Sequence, residues 1–292
     1  INGDSSIESL LNGKKYHIFN WLEQKKQFYK KFKSSDIVII DSYLADYDFY
    51  KYISDFTKFS AYFDDYGRIN YPKGTIINGA IFSEEIYDSL DEQHHYLLGS
   101  NFIPLRKVFW DVPEKKINGN VKTIMVTTGG HDINNMSEKI LKILIKKFPD
   151  FRKEIIVGKG FNSSDLLNNG DSHTYFRISP DSNEIKEIML NSDIAVSAAG
   201  QTLYELARIG VPTIAFAVAE NQLNNVKGWT KTKFIEYAGW WEEINLPDKI
   251  ISLIDGMLGY KKREEKHKIG KSFVDGLGAI RIADFIYENG IK

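Results

Sequence analysis

The segment Ser197-Ala-Ala-Gly-Gln-Thr-Leu-Tyr-Glu205 carries the densest chemical signal in the chain. Ser197, Ala198, Ala199 and Gly200 have almost no side chain, so an anionic group can approach their backbone. A helix beginning near Gln201 and Thr202 points its unpaired N–H groups at such a group. Glu205 follows one turn later, where a carboxylate does not help to hold phosphate but lies within reach of ribose hydroxyls that need acceptors. Thr127, Thr128, Gly129 and Gly130 form a second small-residue turn, whose backbone can come close to a ligand or simply make a tight strand-to-helix connection. Glu220-Asn221-Gln222 offers three polar side chains able to bond sugar hydroxyls or an acetamido group, or, at Asn221, to cap the next helix. In the first third of the chain, Asp41 and Tyr43 end one apolar run and Asp64-Asp65 end another. Those groups could orient water or bind a hydroxyl, or cap the helices that follow.

These groups need strands to position them. Residues 193–196 and 212–218 are short apolar runs without polar alternation, as parallel strands covered on both faces require. Residues 16–19, 36–40, 59–63 and 75–78 read as strands, with a Lys-rich helix over 21–33. The stretch DVPEKKINGN at 111–120 reads as an interdomain linker. After it come strands at 122–126, 154–157, 173–178, 194–196 and 213–218, a helix over 135–147, and further helical stretches between them. The pattern predicts an α/β fold of two doubly wound parallel sheets facing a cleft. The expected divisions are a first domain at 1–115, a second at 120–275 and a final helical segment at 276–292, with apolar helical spacing over 277–286. Ligands of such sheets bind beyond the carboxyl ends of the strands, where all the groups above are placed.

At 292 residues the chain is long enough for two cores. A net charge of −1, from 38 basic and 39 acidic residues, supplies no general field for nucleic acid or a membrane surface. No cysteine occurs, which excludes disulfides, thiol nucleophiles and thiolate metal sites and fits a reducing cytoplasm. No apolar run nears the ~20 residues that span a bilayer. There is no Gly-x-Ser-x-Gly elbow and no Walker loop. His131 follows the glycine pair, where its ring could reach a phosphate or lie exposed on a turn. The adjacent rings of His94 and His95 diverge, which suits metal binding poorly, and no spacing here predicts a metal site. Trp229, Tyr237, Trp240 and Trp241 could stack on a base or sugar, or pack in a core.

The 197–205 segment, followed by Gly210-Val-Pro212 and Glu220-Asn-Gln222, resembles the nucleotide-binding half of the GT-B family, and within it the PseG type of UDP-sugar hydrolase of pseudaminic acid biosynthesis. Ile40-Asp-Ser-Tyr43, Asp64-Asp65, Ile77-Asn78, Leu98-Gly99, Leu105-Arg106, Thr128-Gly-Gly130 and Asp275-Gly-Leu-Gly-Ala-Ile-Arg281 resemble it in the same order. The resemblance implies a UDP-sugar substrate, a UDP-linked 2,4-diacetamido-trideoxy sugar, opened by water at the anomeric carbon without metal or cofactor. It implies substrate contacts at Thr128, Gly129, Gly130, Ser197, Ala199, Gly200, Gln201, Thr202, Glu205, Glu220, Asn221, Gln222 and Tyr43. That family's Gly-His-x-x-Arg loop, whose His activates water, has no counterpart in this sequence and is expected before Ile1. Within the chain, His131, Asp41, Asp64 and Asp65 are then the candidate bases. A MurG-type glycosyltransferase, or a module that binds nucleotide sugar without turnover, would use the same donor site.

Overall fold

The computed structural model of the chain describes residues 13, 20–24, 28–29, 37–87, 92–161 and 164–291. The strand expected at 16–19 and most of the helix expected at 21–33 lie outside them. Packing divides the chain into two units, the first formed by Ile1–Ile77, Ser89–Tyr96 and Asp284–Lys292, the second by Asn78–Asp88 and Leu97–Ala283.

In the first unit, strands β1 (Ile37–Asp41), β2 (Phe59–Phe63), β3 (Gly74–Asn78) and β4 (His94–Leu98) form a sheet in that order. β1 to β3 run parallel. Helix α1 (Tyr47–Phe56) connects β1 to β2, and its first turn is closed by the Asp46 carboxylate, which accepts from Phe49 N at 2.9 Å. Phe49, Tyr50 and Ile53 form its buried face. The Tyr50 ring meets those of Tyr62 and Tyr71 edge-on at 5.1 and 5.0 Å.

The second unit alternates β5 (Thr123–Thr127), α2 (Met136–Lys147), β6 (Arg152–Val157), α3 (Ser164–Asn168), β7 (Thr174–Ile178), α4 (Ser182–Asn191), β8 (Ile194–Ala198), α5 (Thr202–Ile209), β9 (Thr213–Ala217), α6 (Leu223–Lys231) and β10 (Ile235–Trp240). Helices α7 (Leu246–Met257), α8 (Tyr260–Phe273) and α9 (Gly278–Gly290) follow. The six strands are ordered β10-β9-β8-β5-β6-β7 and every pairing is parallel. The chain thus starts in mid-sheet, winds outwards to β7, returns beside β5 as β8 and winds outwards the other way. The reversal between β5 and β8 opens a crevice at their carboxyl ends. Successive side chains on a strand feed opposite faces: Met125 and Ile156 enter one apolar cluster, Ile124, Val126, Ile155 and Val157 the other. Every residue of β8 and β9 is buried, which explains their lack of polar alternation.

Residues 111–120, expected as a linker, are held against the second unit. Lys115 is buried and donates to Leu190 O at 2.6 Å, and Asn118 Nδ2 donates to Asp193 Oδ1 at 2.8 Å. The fully buried Arg263 guanidinium donates to Asn118 O and Gly119 O, each at 2.9 Å. Polar composition here reflects polar atoms engaged by the fold, not a solvated tether. The 283/284 division falls within α9, at Ala283/Asp284.

Candidate functional site

The turn after β8 has the form its residues predict. Ala199 N donates to Phe216 O at 2.9 Å, and Asn225 Nδ2 donates to Ala199 O at 3.3 Å, so the turn is fixed from the neighbouring strand and from α6. Asn225 is itself held by the buried Tyr204 hydroxyl at 2.7 Å. Helix α5 starts at Thr202 with no side-chain cap. Its first turn closes through Leu203 N to Gly200 O and Tyr204 N to Gln201 O, at 3.1 and 3.0 Å. Among the described residues, the N–H groups of Gly200, Gln201 and Thr202 meet no acceptor. Three open donors at the positive end of a helix are an arrangement able to hold an anion. Ser197 contributes differently from expectation: it is 1% exposed, and its hydroxyl donates to Ala198 O at 2.9 Å.

Beside this helix start, the carboxyl edge of the sheet encloses a cavity of about 230 Å³. Met125, Ile156, Ile185 and Met189 supply apolar walls, Gly129, Gly130 and Gly158 bare backbone, and Thr202, Glu205, Lys159 and Arg106 polar groups. Two of the glycines are structurally required, Gly129 by its φ of +91° and Gly158 by close approach, since a Cβ there would lie 2.5 Å from Gly130 O. Glu205, 12% exposed at its side chain, receives both arms of the Arg106 guanidinium, Nε on Oε1 and Nη2 on Oε2, each at 2.8 Å. Arg106 Nη1 donates to Ser182 Oγ at 2.9 Å, at the first residue of α4.

The second small-residue turn is built otherwise. Thr128 is buried, with Oγ1 3.4 Å from Ser137 Oγ. The Asp132 carboxylate accepts from Met136 N at 2.9 Å and from Ser137 N at 3.1 Å, closing the start of α2 with a negative group. Burial pushes the Asp132 carboxyl above its usual range, against the lowering effect of those hydrogen bonds. His131 is exposed, and its ring lies over Gly160, where an added Cβ would meet it at 2.3 Å. Of the 220–222 group, Glu220 and Asn221 are exposed, Asn221 makes no side-chain cap, and Gln222 Oε1 accepts from Val218 N at 2.9 Å. The Gln222 amide nitrogen stands 3.9 Å from where a Cβ on Gly200 would be, so it borders the open turn. Trp229 is fully buried with its ring against Tyr204 and Phe234, and is a core residue.

In the first unit, Asp41 is the last residue of β1 and Tyr43 follows it, and Asp64 and Asp65 follow the carboxyl end of β2. The Tyr43 hydroxyl donates to Asp65, and the Tyr43 and Tyr66 rings stack at 6.1 Å. The Asp41 carboxyl is raised by burial and by the neighbouring Asp65 charge. Asp64, 4% exposed, accepts from the backbone N–H groups of Tyr66 and Arg68, which ties it into the turn. Sequence reasoning quoted Arg106 without giving it a role and passed over Lys159 and the apolar walls of the cavity. Arg106 is 99 residues from Glu205, and no local pattern pairs them.

Over 199 residues, 64% of this chain and 41% of the relative, the sequence is 27% identical to an uncharacterised protein of Methanocaldococcus jannaschii. It is 30% identical over 193 residues, 65% of this chain and 35% of the relative, to a Helicobacter pylori protein described as pseudaminic acid cytidylyltransferase and UDP-2,4-diacetamido-2,4,6-trideoxy-beta-L-altropyranose hydrolase. The chain therefore spans well under half the length of these two relatives. MurG of Acinetobacter baumannii superposes with a TM-score of 0.55 at 13% identity, covering 82% of this chain and 76% of that one. This likeness establishes the α/β, GT-B-like fold. Among the described residues no helix is long and apolar enough to cross a membrane. Residues 123–277, more than half of the chain, match the glycosyltransferase family 28 C-terminal domain, and the chain belongs to that family.

Proposed function

We propose that the second unit binds a nucleoside diphosphate sugar, with the diphosphate on the open N–H groups of Gly200, Gln201 and Thr202. The observation that carries this reading is the uncapped start of α5 beside a cavity that holds a carboxylate at ribose distance along the helix. The base fits the apolar walls formed by Met125, Ile156, Ile185 and Met189. A ribose hydroxyl donates to Glu205, and Gly129 and Gly130 give the ligand bare backbone. Gln222 borders the turn from which the sugar would extend, and the exposed Asn221 and Glu220 precede it in the chain. Thr128 and Ser197 support the turns from within, and Ala199 fixes one of them through its two backbone bonds.

The reaction we assign is hydrolysis of a UDP-linked 2,4-diacetamido-trideoxy sugar, supported by the function described for the Helicobacter pylori relative. A water oxygen attacks the anomeric carbon, and the bond from that carbon to the β-phosphate oxygen breaks. UDP leaves with the electron pair, and the water proton passes to a base. The helix start faces the charge that accumulates on the leaving group. His131, exposed after the glycine turn, is the candidate base within the second unit; Asp41 and Asp65 are exposed carboxylates of the first unit, whereas Asp64 is engaged by its turn. The family 28 match favours a glycosyltransferase as the second reading.

Incubating the protein with a UDP-sugar and no acceptor distinguishes the two: hydrolysis releases UDP and free sugar, whereas a transferase leaves the donor intact. UDP at one hundred times its dissociation constant should add about 2.7 kcal/mol of stability, visible as a raised Tm, with smaller effects from ADP and GDP. Absence of any nucleotide effect would remove the site.

A further inference from the structure

A second cavity, of about 470 Å³, shares no lining residue with the one beside Glu205. Met136, Ile140 and Ile143 of α2, Leu246 and Ile250 of α7, and Trp241 give it apolar walls. Ile244 stands at its lip and is 98% exposed. The turn that carries Ile244 is fixed on both sides of it. Trp240 N donates to Glu243 Oε1 at 2.7 Å, Glu243 N to Trp240 O and Leu246 N to Glu243 O, both at 3.0 Å, and Lys249 Nζ bonds the second oxygen of Glu243. A single exposed isoleucine is ordinary on a folded protein. One held out on a fixed turn beside an apolar hollow gives one face both a knob and a hole. A two-fold axis lying midway between them seats each knob in the hole of the other copy. Because the turn is already fixed, little ordering entropy opposes that fit.

The rim charges complement themselves in the same way. Lys139 Nζ lies 5.6 Å from the centre of the Trp241 ring and has no carboxylate partner among the described residues. Glu242 accepts from the Trp240 indole N–H at 3.1 Å and has no cationic partner among them. One unpaired cation and one unpaired anion on a single rim let two copies of the face attract each other. We propose that this face is the interface of a two-fold homodimer, in which Ile244 of each copy enters the pocket of the other and Lys139 of each meets Glu242 of the other. The dimer does not depend on the nucleotide reading. Resting on one knob and one charge pair per copy, it belongs among the weaker, concentration-dependent associations.

The test is analytical ultracentrifugation of the 292-residue chain from about 1 μM to about 1 mM, a span that covers weak association. Wild type should pass from monomer to dimer and stop there. Ile244→Asp should raise the dissociation constant about thirtyfold, the loss expected of a central anchor. Lys139→Glu and Glu242→Lys should each weaken self-association, because each sets like charges opposite one another. Mixed in equal amounts, those two variants should form a heterodimer about as tight as the wild-type dimer. All three positions are exposed, and melting curves that match wild type verify that the variants fold. A wild type that stays monomeric at every concentration would overturn the proposal and leave the pocket to a small ligand or a different protein. A dimer that Ile244→Asp leaves intact would overturn it too, by placing the interface on another face. Growth beyond the dimer would exclude the two-fold arrangement, and failure of the two charge variants to associate when mixed would exclude the pairing of Lys139 with Glu242.

Discussion

The second sheet contains two turns of the same topology, one after β5 and one after β8, and they have opposite electrostatic ends. Both pass from the carboxyl end of a central strand through small residues into a helix. After β8 the helix start has no side-chain cap, and three N–H groups meet no acceptor among the described residues. After β5, the Asp132 carboxylate occupies the N–H groups of Met136 and Ser137. A helix start that satisfies itself with an acid has spent its donors and reversed the local charge, so it cannot serve an anion. The crevice at the strand reversal is thus asymmetric: one wall presents open N–H groups, while the other offers bare glycine backbone and shape.

The sharpest way to break this difference is to give the β8 turn what the β5 turn has. Gly200→Asp is sterically open, since a Cβ there meets only the Gln222 amide nitrogen at 3.9 Å. The new carboxylate should weaken UDP binding by about 2 kcal/mol, roughly thirtyfold, measured by calorimetry. An unchanged affinity would show that the helix start does not hold the diphosphate. Removing the cap from the other turn should do the converse. Asp132→Ala should cost about 1 kcal/mol of stability, the usual worth of a helix cap, with UDP affinity nearly unchanged. A large loss of affinity would mean that the β5 turn contacts the ligand after all.

A smaller effect follows from the titration of the same cap. Burial raises the Asp132 carboxyl above 3.8, so the folded protein holds that proton more tightly than the unfolded chain does. Its contribution to stability is full below 3.8 and is lost as the pH rises through the raised value. Across that window, denaturant titrations should show wild type losing stability relative to Asp132→Asn, which keeps a neutral acceptor. A difference that moves the other way would show that the hydrogen bonds, not burial, govern the group.

The β8 turn was legible in the sequence because all its determinants lie within nine residues: small side chains, a helix start and a carboxylate one turn on. The strands of the second unit were also legible, since full burial leaves unbroken apolar runs. β4 was not, because His94, His95 and Tyr96 look like no buried strand, and His94 instead bonds the carbonyls of Tyr71 and Pro72. β10 was missed where Gly239, at φ +136°, shifts its register against β9. The role of Asp132 was hidden for a different reason: Asn134 and Asn135, both left-handed, carry the chain back so that an acid four residues upstream meets the helix start. The pairing of Arg106 with Glu205 depends on tertiary structure alone.

The anchoring of residues 115–119 determines where the second unit can be excised. A piece cut at Thr123, where the family match begins, would keep all six strands yet remove the two carbonyl groups that receive the Arg263 guanidinium. Arg263 is fully buried, and its Nε already has no partner among the described residues. Stranding a buried cation of this kind costs about 3–5 kcal/mol, a large part of what holds a domain together. The same cut would discard Arg106 and leave the Glu205 carboxylate without its partner. The sheet can be delimited by its strands, but the smallest piece able to stand alone must be delimited by its buried charges.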